Sequence, residues 1–211
     1  DTCRNLPVLS TGEFKGYARV YGIAMRLCSY TDARIDESVI SDFINRYQTV
    51  TPLSSEELWA LPTMLRVALV QKIRDITVFI IESLEEQKLA DTWANKLVDG
   101  LVRYKDSDSK GKDRLGTVIN AHDKAIGYMK PVYAERLLHK LREEGAYAAP
   151  ILRWADGRLA VQHTGADEII QTAHQLQAVN QVTIGNAVTS IRQITSLKWE
   201  DIFEELSLLE N

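Results

Sequence analysis

Any chemistry performed by this chain must come from a few side chains gathered in two places. From Gly16 to Gly22 the residues read GYARVYG, which crowds Tyr17, Arg19 and Tyr21 together near the start of a helix. From Gln181 to Arg192 they read QVTIGNAVTSIR, where small and hydroxyl residues permit close helix approach while Asn186 and Arg192 supply polar contacts. Trp59 and Arg66, on an intervening apolar run, complete the set of candidate contact residues. Exposed aromatic faces such as Tyr17, Tyr21, Trp59 and Trp154 can stack on the ring of a ligand while polar neighbours bind its hydroxyls. The same residue types also suit a tight helix crossing with buried, hydrogen-bonded polar groups, and Trp59 and Arg66 equally suit core and boundary positions.

The better-defined catalytic patterns are missing. His122, His139, His163 and His174 form no HExxH and no Cys/His cluster at ligand spacing, so each is expected to be a surface or boundary histidine. The stretch Asp106 to Gly111 begins like a calcium loop, but Lys110 and Thr117 occupy positions that need oxygen-rich ligands, including a bidentate glutamate. A solvated loop is the expected reading. Pro150 to Trp154 ends in the Arg-Trp pair of the QxxRW motif of processive glycosyltransferases, yet proline stands where that motif needs glutamine, and the match fails. No Gly-rich phosphate loop, GxSxG elbow or Cys/His nucleophile pair is visible, so no catalytic, cofactor-binding or metal-binding residue is assigned.

Composition narrows the class. The 211 residues carry 25 Lys+Arg against 29 Asp+Glu, a net charge of −4. Duplex binding leans on clustered Lys and Arg, so this balance argues against a nucleic-acid partner. With 45% hydrophobic and 26% charged residues the chain is globular rather than disordered. Cys3 and Cys28 are too few for a disulfide framework or a closed zinc site; they are either bridged to each other or reduced, as in a cytosolic protein. The most apolar stretch, Leu58 to Ile81, is broken by Arg66, Gln71, Lys72, Arg74 and Asp75, so no membrane span is expected. The chain starts at Asp1 with neither an initiator Met nor a signal peptide, which reads as an excised fragment.

The elements that must position these residues are helices. Period-two alternation and hairpin signals are nearly absent, whereas 3.6-residue periodicity is widespread. Gly16 to Tyr30 sets Tyr17, Val20, Tyr21, Ala24, Leu27 and Cys28 on one stripe. Asp36 can cap a second helix carrying Val39, Ile40, Phe43, Ile44 and Tyr47, which Thr51-Pro52 should end. Ser54 and Glu57 form a capping-box pair, and Pro62 then either kinks that helix or opens the next. From Thr63 to about Tyr104 no breaker appears before Gly100, and a helix on the order of 60 Å is expected to bend or break near Gln87. Further helices are expected at Leu115–Ala125, Pro131–Glu144, Pro150–Gln162, Glu168–Ser196 and Lys198–Leu208, with Thr164 and Asp167 as a second capping pair. The expected fold is all-α: about seven to nine helices, one or two very long, in one helical domain or fragment with a sub-boundary at 105–114.

Several phrases resemble the N-terminal region of bacterial cyclic β-1,2-glucan synthases. In order they are GYARVYGIA (Gly16 to Ala24), YTDARID (Tyr30 to Asp36, similar to the family's HTDSRFD), YQTVTPL (Tyr47 to Leu53) and ELWALPTMLR (Glu57 to Arg66). LRW (Leu152 to Trp154), VTIGN (Val182 to Asn186), TSIR (Thr189 to Arg192), Trp199 and FEELSLLE (Phe203 to Glu210) follow. The similarity runs from about Asn5 to Glu210 and is weakest from Lys105 to Tyr133.

That resemblance implies a piece of a multi-module machine. In such synthases a membrane-embedded glycosyltransferase uses UDP-glucose and a divalent metal to build a β-1,2-glucan on the protein itself. Other modules cyclise and trim it. The similar segment precedes the first transmembrane helices, on the cytoplasmic side of the inner membrane. Its implied partner is the downstream transmembrane glycosyltransferase module of the same chain, with β-1,2-glucan as a second candidate. None of the glycosyltransferase acidic motifs falls here, so UDP-glucose and metal belong to a downstream module. The expectation is a non-catalytic docking or scaffolding module, or one that handles the growing glucan. A docking module should expose an apolar patch, expected on the final helix at Leu206, Leu208 and Leu209. The rival from another class is a stand-alone all-α regulator with an N-terminal helix-turn-helix; the acidic balance and the lack of a basic, Gly-turned helix pair in the first 60 residues stand against it.

Overall fold

In a computed structural model, residues 6–105 and 110–207 are described, with side chains at 6–102 and 115–207. Eight α-helices and one short 3-10 turn make up the described fold: α1 (Arg19–Tyr30), α2 (Glu37–Gln48), α3 (Ser55–Lys105), α4 (Lys110–Ala125), α5 (Pro131–Glu143), α6 (Ala149–Val161), α7 (Ala166–Ser196) and α8 (Trp199–Leu206). Extended pairing among the described residues is one isolated antiparallel bridge, Val8 to Ala18. The protein is all-α.

The chain divides into two compact units, one of residues up to Thr77 and from Val179, the other of Val78–Ala178. The division falls inside α3 and inside α7, so each of these two helices gives residues to both units.

In the first unit, α1 buries Val20, Ala24, Leu27 and Cys28 of the expected stripe and adds Ile23, while Tyr21 is only part-buried. Tyr17 is not on that stripe. The helix starts three residues later than Gly16, because residues 7–18 fold back on themselves: Gly16 donates to the Leu9 carbonyl at 2.9 Å and Arg19 to that of Pro7 at 2.7 Å. Gly16 holds φ at +88°, a conformation open to glycine and strained for other residues. Asp36 caps α2 by accepting from the Val39 amide at 3.0 Å. Ile40 and Ile44 from α2, Leu61, Leu65 and Leu69 from α3, Ala187 and Ile194 from α7, and Ile202 and Leu206 from α8 close the core. Buried Gln48 ties the α8 end to the α2–α3 turn, donating to the Leu206 carbonyl at 2.9 Å and accepting from the Leu53 amide at 3.2 Å.

The Ser54–Glu57 capping box forms as expected: the Glu57 amide donates to the Ser54 hydroxyl at 3.3 Å and the Ser54 amide to Glu57 Oε2 at 3.0 Å. Pro62 neither opens a new helix nor ends this one. Nor does a break occur near Gln87, for α3 is one helix of 51 residues. Residues 82–97 (ESLEEQKLADTWANKL) explain the persistence, being mostly strong helix formers without Gly or Pro.

In the second unit, Ala90, Trp93, Leu97 and Leu101 of α3 pack with Tyr133, Leu137, Leu138 and Leu141 of α5, Ile151, Ala155 and Leu159 of α6, and Ile169 of α7. Gln162 grips the turn before α5 twice, accepting from the Met129 amide at 2.8 Å and donating to its carbonyl at 3.1 Å. Arg136 and Asp91 form a forked pair at 2.7 and 3.0 Å. Thr164 bonds the Glu168 carboxylate at 3.1 Å near the start of α7. Cys28 is a buried free thiol whose burial pushes its pKa up to about 12. Cys3 and residues 106–109 of the calcium-like stretch lie outside the described residues, as do Leu208 and Leu209.

Candidate functional site

The candidate residues around Gly16 do come together. Tyr17 stacks on Tyr21 with centroids 5.2 Å apart and planes at 28°, and Phe14 meets Tyr21 edge-on at 5.9 Å. Arg26 covers the Phe14 ring at 5.7 Å. One face of the cluster is open, since Tyr17 remains 57% exposed.

Arg19 beside them is committed. Its Nε donates to Glu57 Oε1 at 2.8 Å, and a terminal nitrogen donates both to Glu57 Oε2 and to the Pro52 carbonyl at 3.1 Å. Glu57 has no exposed surface. A buried carboxylate needs such a partner, and the hydrogen bond from Arg19 is the chief cause that raises the guanidinium pKa above its ordinary value. The guanidinium is therefore a clamp from the start of α1 to the start of α3 rather than a cation free for a ligand.

The remaining candidates fall on α3 and α7. Trp59 is half exposed and stacks on Phe203 of α8 at 4.6 Å and 27°. Beside it, Leu58, Leu61, Pro62, Trp199 and Ile202 enclose a space of about 10 Å³, far too small for a ligand. Arg66 is part-buried, and its enclosed Nε has no hydrogen-bond partner. Asn186 donates to the Asp32 carbonyl at 3.1 Å, where Asp32 and Ala33 hold positive φ of 49° and 61°. Next to it the buried Ser190 hydroxyl accepts from the Ile35 amide and donates to the Ala33 carbonyl, both at 2.8 Å. The small and hydroxyl residues of this stretch thus fasten α7 to the α1–α2 turn. Arg192 is exposed, with no hydrogen bond or ion pair among the described residues. Tyr17, Arg19 and Tyr21 share one neighbourhood, while Trp59 packs on Phe203 and Asn186 on the α1–α2 turn.

A polar cluster around His122 lies in the second unit. His122 has no exposed surface, contrary to the expected surface or boundary position. Its Nε2 is 2.9 Å from the Tyr133 hydroxyl and its Nδ1 is 3.2 Å from Asp123 Oδ1. Trp93 and Trp154 meet the imidazole edge to face at 5.2 and 4.7 Å. Arg158 Nε stands 3.1 Å from Asp123 Oδ1, an ion pair out of hydrogen-bond alignment, and its terminal nitrogen reaches the Ile126 and Gly127 carbonyls at 3.4 and 3.3 Å. Trp154 is part-buried, packed at a right angle against the His122 imidazole, with its enclosed Nε1 lacking a hydrogen-bond partner.

Of the apolar patch expected at Leu206, Leu208 and Leu209, only Leu206 falls among the described residues. Leu206 is buried, so the final helix shows no patch at that position. Instead no residue of 78–89 on α3 is buried, and Val78, Ile80, Ile81, Leu84 and Leu89 are each 41% to 53% exposed. Among the described residues no group of three His, Cys, Asp or Glu side chains could hold a metal ion. No described helix is long and apolar enough to cross a membrane.

No protein-family profile matches the chain. It is similar to the cyclic β-(1,2)-glucan synthase NdvB of Rhizobium meliloti, with 23% identity over 207 residues. The alignment takes in 98% of this chain and 7% of that protein. The chain thus spans a small stretch of a much longer relative, and the similarity points to a distant relation with a part of a glucan synthase.

Proposed function

We propose that the chain is a non-catalytic helical module of a cyclic β-1,2-glucan synthase-like membrane glycosyltransferase, and that it docks on the synthase core at the cytoplasmic side of the inner membrane. In this reading UDP-glucose and the divalent metal are handled by a downstream transmembrane module, and these residues hold none of the transferring groups. The observation that carries the reading is residues 78–89 of α3, a helical stretch with five large aliphatic side chains left 41% to 53% exposed and none buried. Single exposed apolar residues are ordinary, but a run of them along one helix is the usual mark of a surface covered in an assembly. The alignment to a long synthase supplies the candidate cover. In support, two polar groups among the candidate contacts are occupied internally, Arg19 by Glu57 and Asn186 by the Asp32 carbonyl.

The test is association in trans. A synthase-like membrane module lacking this segment is expected to co-purify with the chain, and Ile81→Glu with Leu84→Glu is expected to weaken capture about tenfold or more while leaving helicity unchanged. No capture of the unaltered chain, or capture indifferent to both substitutions, contradicts docking through α3.

A second reading, glucan handling, is favoured by one observation: the Tyr17 ring is open on a stacked aromatic cluster. Aromatic faces of this kind pack against sugar rings. Titration with linear β-1,2-gluco-oligosaccharides at millimolar concentration is expected, on this reading, to shift Tyr17 and Tyr21 resonances. Silence at those residues ends it.

A further inference from the structure

We infer that His122 is a proton-sensitive latch that fastens α4 to α5 and α6 in the second unit, and that its protonation releases α4. The argument rests on where the protons must sit. His122 and Tyr133 are both buried, and 2.9 Å separates the imidazole Nε2 from the phenol oxygen. Burial holds the Tyr133 phenol well above its ordinary value, so Tyr133 is a donor at every working pH. Its natural acceptor is Nε2, which leaves the single imidazole proton on Nδ1, facing Asp123 at 3.2 Å. This tautomer follows from the network. A second proton must go on Nε2, directly against the phenol proton. The hydroxyl would then have to turn away, and no other hydrogen-bond partner of Tyr133 is present among the described residues.

The charges around the ring divide. On α4 itself Asp123 favours an imidazolium; on α6 Arg158, 3.1 Å from that same carboxylate, opposes it. On α3 the Lys96 ammonium lies 4.5 Å over the ring of Trp93, which itself meets the imidazole, and α5 brings the phenol of Tyr133. Burial is the largest influence and Asp123 only partly offsets it, so the imidazole sits below its ordinary value of 6.5. A group with a depressed folded-state pKa binds its proton more readily once exposed, so the latch is whole above 6.5 and weakens as pH falls below that value. Because His122 holds α4 through contacts with α3, α5 and α6, the opening expected is local to α4 rather than global.

The experiment is hydrogen exchange of the whole chain from about pH 7.5 to 4.5, corrected for intrinsic rates, read beside the imidazole NMR titration of His122. Expected is a loss of protection across α4, by up to about tenfold per pH unit as for one proton. The α1 and α2 amides should hold theirs. Tyr133→Phe removes the competing donor and should move the His122 titration upward and blunt the acid loss. His122→Gln, which keeps a polar group but cannot titrate, should make α4 protection flat with pH. An α4 whose protection does not change, or changes only in step with α1 and α2, overturns the inference. So does a His122 titration indifferent to Tyr133→Phe.

Discussion

Arg19 and Glu57, 38 positions apart, form a forked ion pair in which the carboxylate has no exposed surface and the same carboxylate also closes the N-terminal cap of α3. One side chain therefore serves a local cap and a long-range clamp. Losing its cation would strand a buried charge, which typically costs about 3 kcal/mol or more. Arg19→Ala is expected to lower stability in urea unfolding by about that much. Arg19→Lys should recover less than half of it, because an ammonium cannot make the two parallel bonds of the fork. A loss under about 1 kcal/mol for the alanine variant would show that the pair is dispensable.

Asp36 gives a prediction with a pH sign. The Val39 amide, then the Ser38 hydroxyl, hold its carboxyl below the ordinary 3.8. Folding thus favours the ionised form, and the stabilisation is complete above 3.8 and is lost as pH falls below it. Asp36→Ala should cost about 1 kcal/mol at neutral pH, as for other caps. Asp36→Asn should be nearly silent there. The gap between wild type and Asp36→Ala must shrink with acid; a gap that is constant down to about pH 2.5 would mean that the cap bond is not what Asp36 contributes.

Ser190 is fully enclosed and serves two backbone groups of a turn bent through positive φ at Asp32 and Ala33. Ser190→Ala leaves an amide and a carbonyl buried without partners, at about 2 kcal/mol or more. Exchange of the Ile35 amide should accelerate well beyond that of its α2 neighbours. Uniform acceleration across α1 and α2 would assign the effect to general destabilisation instead.

The sequence showed local events well and long-range ones badly. Asp36, the Ser54–Glu57 box and the α1 stripe from Val20 to Cys28 were legible because caps and helix faces depend on neighbours within about one turn. The partnership of Glu57 with Arg19 was not legible, since nothing in either segment names the other. His122 was misjudged for a similar reason: Asn120, Ala121, Asp123 and Lys124 around it look like a solvated face, while its enclosing rings come from α3, α5 and α6. Of the bend or break expected near Gln87, the break does not occur, because the composition of 82–97 keeps α3 a single helix. Of the docking patch expected at the final helix, Leu206 is core while Leu208 and Leu209 lie outside the described residues, and the exposed aliphatic run in the middle of α3 was not foreseen.

The most direct test of the proposed role is to read the gene on both sides of these 211 residues. A docking module of a synthase predicts one continuous frame that goes on to transmembrane helices, spaced acidic motifs and a QxxRW sequence. A frame that closes just past Asn211, with no such module encoded, would contradict the account and leave a free-standing helical protein.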